Sequence, residues 1–134
     1  MRKDIDIPQV KNVTVAIARK KDELNNTGWK VYLINQNQVD IENTLVTSKG
    51  YGQKNGEEQK TSVLRHFLET VEANGTALIE SIQPEVFHLN NEYWVSYYIG
   101  GELFDKRFVF VPESISEKNL TFIKELEMDG ILHS

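Results

Sequence analysis

The amino-acid sequence predicts an all-β fold, an immunoglobulin-like antiparallel β-sandwich of about seven strands with a short C-terminal helix. Three observations carry that prediction. Short stretches with period-two alternation of apolar and polar residues recur along the chain, glycine and asparagine turn signals separate them, and no long helical segment stands between them. The last point excludes a βαβ architecture, in which a crossover helix must join parallel strands.

The first strand is "VKNVTVAIAR", Val10 to Arg19, where Val13, Val15 and Ile17 alternate with Thr14, Ala16 and Ala18. After the polar break "KKDELNNTG", Trp29, Val31 and Leu33 alternate with Lys30, Tyr32 and Ile34, and "NQNQ" supplies the next loop. Ile41 to Ser48 follows, rich in β-branched residues but mixed on both faces. "TSVLRHFLETVE" fits two patterns: Leu64, Leu68 and Val71 have helical spacing, while Val63, Phe67 and Val71 share one face of a strand. The strand is favoured, because Asn74-Gly75 then turns the chain into a further strand, Thr76 to Ile82, closed by Pro84.

"NEYWVSYYI" and "ELFDKRFVFV" are two aromatic-rich strands joined by Gly100-Gly101, a hairpin signal because both glycines accept positive φ. A two-residue turn there sets the register: Tyr93 faces Phe108, Tyr97 faces Phe104, Trp94 faces Arg107 and Ser96 faces Asp105. One face then carries Tyr93, Val95, Tyr97, Ile99, Phe104, Phe108 and Phe110 with a single lysine, Lys106, and belongs to the core. The other carries Ser96, Leu103, Asp105 and Val109, together with Trp94, Tyr98 and Arg107. The last three residue types dominate interface hot spots, which makes the three a candidate partner-binding patch. Beyond Pro112, Ser114 and Glu117 have capping-box spacing, and Ile115, Leu120, Ile123 and Leu126 suit a short helix packed on the sheet. The tail "ILHS" reads as ragged.

The 134 residues suit a single domain, 1–134, able to bury its own core. Apolar residues at 40% and charged residues at 26% place the chain with globular rather than disordered sequences. A net charge of −5 makes nucleic acid a poor partner, since phosphate backbones are held by clustered Lys and Arg. The absence of cysteine removes disulfides, zinc-thiolate sites and thiol catalysis. The opening "MRKDIDIPQV" lacks the apolar core of a signal peptide, and no apolar run approaches the roughly 20 residues of a transmembrane helix, so a cytoplasmic protein is expected, with no membrane partner.

No cofactor, metal or catalytic residue is expected. "GYGQKNG" resembles a phosphate-binding loop in its glycines, but Asn55 stands where the dinucleotide pattern needs glycine, and the Gly-Lys-Ser/Thr ending of a P-loop is missing. Asn55-Gly56 is a turn pair, and Lys49, Lys54 and Lys60 around it read as solvated charges. His66, His88 and His133 are scattered without carboxylates at metal-ligand spacing.

The blocks "LVTSKGYG", "TSVLRHF", "NNEYWVSYYIG" and "KRFVFVPESIS" resemble those of a family of short bacterial proteins typical of the Bacteroidetes, over nearly the whole chain. Some members carry the label of a phenylalanyl-tRNA synthetase subunit. The resemblance implies kinship and a bacterial source. A class II synthetase core is several times longer, and its arginine-bearing motifs have no counterpart here. The functional expectation is a non-catalytic binding or interaction domain, engaging a partner protein or itself. The alternative is an accessory module of a translation or RNA complex. An enzyme with a loop-borne site comes third.

Overall fold

The structure, a computed structural model, describes residues 10–21 and 27–133. The opening residues, the acidic pair Asp22-Glu23 and Ser134 lie outside the described residues. Ten strands are described: β1 (Val13–Lys21), β2 (Thr27–Asn35), β3 (Ile41–Lys54), β4 (Glu57–Lys60), β5 (Leu64–Val71), β6 (Thr76–Ile82), β7 (Asn90–Ile99), β8 (Glu102–Phe110), β9 (Thr121–Ile123) and β10 (Met128–His133). They form two antiparallel sheets, one in the order β6-β2-β1-β10-β9 and the other in the order β4-β3-β7-β8, with β5 also paired to β3.

The two sheets pack face to face because β1 and β2 in one and β7 and β8 in the other each turn alternate apolar side chains to the same side. Val15, Ile17, Val31 and Leu33 of the first sheet meet Val46, Tyr93, Val95, Tyr97 and Phe108 of the second, all buried in one core cluster. The strand reading of residues 64–71 holds, and the Asn74-Gly75 turn carries the chain from the second sheet to the first. Phe104 is part-buried against the same core, stacked on Tyr97 with ring centroids 5.4 Å apart.

Ten strands replace the expected seven, and the C-terminal helix is absent. Between Glu117 and Asn119 the chain makes one turn of 3₁₀ helix, then enters β9 and β10. The capping box does not form: Ser114 Oγ donates to the Val111 carbonyl, and Glu117 pairs with Arg19 of β1. The reason lies in β1, whose edge is open to a further strand. Ala16 and Ala18 are small, and β10 pairs there, with Leu132 opposite Ala16 and Gly130 opposite Ala18. A Cβ on Gly130 would sit 2.7 Å from the Ile17 carbonyl oxygen, so this approach requires glycine. Residues 131–133 are therefore strand rather than a ragged tail. Ile115 joins the main core, while Ile123 and Leu126 close over Ala16 and Ile34 on the first sheet's outer face.

The turn pair Asn55-Gly56 takes φ of +53° and +80°, as a two-residue hairpin turn requires, and joins β3 to β4. Gly50 sits inside β3, where its N–H donates to Thr61 Oγ1 at 2.7 Å and an added Cβ would meet Thr61 Cγ2 at 2.9 Å. The glycine thus serves a close approach within the hairpin.

Strand β8 forms one border of the second sheet. On its core-facing side Lys106 pairs with Val95 and extends its ammonium over the Phe108 ring, 4.9 Å from the centroid. The long stem covers apolar surface while the charge reaches solvent.

Candidate functional site

The outer face of the second sheet is built by parity from the β7–β8 turn. Gly100 and Gly101 both take positive φ, +57° and +79°, and the strands pair as a two-residue turn dictates: Tyr93 with Phe108, Trp94 with Arg107, Ser96 with Asp105 and Tyr97 with Phe104. Trp94 and Tyr98 point outward, 43% and 36% exposed. The Arg107 guanidinium lies 4.8 Å from the Trp94 ring centroid, a cation–π contact. Tyr98 shares the face but not the contact. It pairs with Leu103, four residues along β7 from Trp94, or about 13 Å.

Tyr98, Trp94 and Leu103 line a shallow groove of about 510 Å³ together with Leu45 of β3 and Phe67 of β5. Phe67 and Leu103 are 61% and 47% exposed, so the groove presents large apolar side chains to solvent, interspersed with Asn43, Thr47, Ser96 and Asp105.

The same face changes character past Arg107. Glu92 also points outward, yet its side chain is only 5% exposed. Tyr51 of β3 donates its hydroxyl to Glu92 Oε1 at 3.2 Å, Arg107 Nε stands 3.7 Å from Oε1, and Lys49 Nζ stands 3.8 Å from Oε2. Lys49 also lies 5.7 Å from the Tyr51 ring centroid. Desolvation is the main cause that pushes the Tyr51 hydroxyl above its usual pKa, the Glu92 charge and hydrogen bond add to it, and Arg107 works against it. These residues and Lys60 border a pocket of about 640 Å³. Lys49 and Lys60, read from the sequence as solvated charges, belong to this pocket.

A second polar cluster, which sequence reasoning missed, lies between the sheets. Glu80 of β6 accepts from Ser48 Oγ at 2.9 Å and from Tyr93 OH at 3.1 Å, and its Oε1 lies 2.7 Å from His66 Nε2. One carboxylate thus ties β6 to β3, β5 and β7. Serine and histidine both address the same carboxylate oxygen, so the imidazole is not placed to take the serine proton as a nucleophilic relay requires. The Tyr93 hydroxyl is pushed far above its usual pKa by burial first and by Glu80 second. The cluster reads as a clamp.

Among the described residues no group of three or more His, Cys, Asp and Glu could hold a metal ion, and no helix is long and apolar enough to cross a membrane. Comparison with protein-family models, with curated proteins and with solved structures finds no match to this chain.

Proposed function

We propose that the protein is a non-catalytic interaction domain that docks a partner protein on the outer face of its second sheet, through Trp94, Tyr98 and Arg107. The observation that carries this reading is a tryptophan, a tyrosine and an arginine held outward on a rigid sheet, beside the exposed Phe67 and Leu103. Such residues make large contacts at low entropic cost. An immunoglobulin-like sandwich is the architecture we assign to it. Face-to-face antiparallel sheets support that assignment, although here the first and last described strands, β1 and β10, pair within one sheet rather than in opposite sheets. The cysteine-free sequence is compatible with the cytoplasm, and kinship with the Bacteroidetes family remains part of the proposal.

Lys49, Lys60 and Arg107 beside Tyr51 and Trp94 give weight to a second reading, an accessory module of a translation or RNA complex. Glu58, Glu92 and Asp105 on the same surface oppose it.

Photo-crosslinking from a benzoylphenylalanine placed at Tyr98, in the native cell, tests the docking face. A discrete crosslinked species that disappears when Trp94→Ala is added supports the proposal. Adducts that form equally from an outward position on the first sheet, such as Leu132, refute it.

A further inference from the structure

We infer that the pocket at Glu92 is a carboxylate-binding site, and that the docked partner is an extended peptide segment with an acidic residue at one end and apolar residues at the other. The inference rests on the docking face proposed above and names its ligand.

Glu92 is a buried carboxylate on the solvent side of a sheet, and its hydrogen bond comes from Tyr51. Arg107 and Lys49 stand 3.7 and 3.8 Å away, beyond hydrogen-bond reach. Glu92 therefore fixes both cations electrostatically without consuming their donors. Each is also held against an aromatic ring, Arg107 on Trp94 and Lys49 near Tyr51. Among the described residues the terminal guanidinium nitrogens of Arg107 have no protein acceptor, and they form the planar fork that suits a carboxylate. With Lys60 on the rim, three cations face the acids Glu92 and Glu58, a local excess of positive charge on a chain of net charge −5. That excess draws an acidic group to the pocket.

Three cations against Glu58 and Glu92 leave a net local charge of about +1, which a single carboxylate neutralises and a phosphate dianion would overshoot. A peptide fits better than a small acid because the pocket and the groove adjoin where Arg107, which lines the one, meets Trp94, which lines the other. Tyr98 lies six residues from Glu92 along β7, about 20 Å, which an extended segment of about six residues spans.

The test selects yeast-displayed random peptides of about eight residues against the purified protein, then measures the enriched peptides by fluorescence anisotropy. Enriched sequences should carry Asp or Glu at one end and aromatic or aliphatic residues at the other. Arg107→Gln and Lys60→Glu, checked for unchanged melting, should each weaken binding about tenfold or more, a loss that rises in low salt. Apolar peptides without acids, or acidic peptides indifferent to both variants, overturn the carboxylate site and leave the docking face standing. No enrichment, or peptides indifferent to Trp94→Ala, overturns both. Displacement of the peptide by inorganic phosphate or by oligouridylate at equal concentration assigns the cations to phosphate or to RNA and overturns the inference.

Discussion

On the inner face of the β7–β8 hairpin, Tyr93, Tyr97 and Phe108 are 2%, 1% and 0% exposed, whereas one residue out of step Trp94 and Tyr98 keep 43% and 36% of their surface. The same backbone ladder positions both sets. The inner set is surrounded by the other sheet and bears on stability. The outer set is held by the same ladder but keeps much of its surface open to solvent. Aromatic content thus divides by parity into fold and site, and each half is testable separately.

Phe108→Ala attacks the inner set most directly. It should cost about 3–5 kcal/mol, a large share of what a domain of this size has, read as a fall in the urea midpoint. An unchanged midpoint would mean that the inner row does not carry the fold.

A smaller inner-face effect comes with alkaline pH. Burial pushes the Tyr97 hydroxyl up to about 12, and Tyr93 higher still, while tyrosines in the unfolded chain ionise near 10. A group whose pKa is raised on folding stabilises the native state below its unfolded pKa. Stability should hold to about pH 10 and decline from there toward pH 12, because the unfolded chain releases protons that the folded chain retains. Denaturation midpoints between pH 8 and 12 check this, and Tyr93→Phe should make the decline shallower.

The smallest effect on folding belongs to the outer face. Trp94→Ala should change stability by only about 0.5–1 kcal/mol, the size of an exposed cation–π contact, while removing partner capture. A loss as large as that of Phe108→Ala would erase the distinction between the faces.

Much of this division was legible in the sequence. Gly100-Gly101 fixed a two-residue turn, and counting outward from it assigns each residue of the hairpin to its face. The same count places Glu92 with Trp94, and a carboxylate on an aromatic outer face was a signal that could have marked the pocket. Arg107 falls to the same face by that count, whereas Lys49 was hidden because it reaches Glu92 only through the β3–β7 pairing, which no local pattern encodes. The C-terminal segment misled for a related reason. Ile115, Ile123 and Leu126 have helical spacing, but they serve two different apolar clusters, and Gly130 matches a strand edge far away in the chain. Short-range periodicity competes there with a long-range edge, and the edge wins.

Lys106 limits how the molecule can associate. A border strand as long as β8 would otherwise offer its unpaired N–H and C=O groups to a neighbouring chain, and sheets could grow without end from copy to copy. A lysine on the core-facing side of that strand would be trapped without water by any strand laid alongside, a cost that makes such growth unfavourable. The β8 margin is thus closed to fibril-like stacking by a single half-buried stem and its emergent charge.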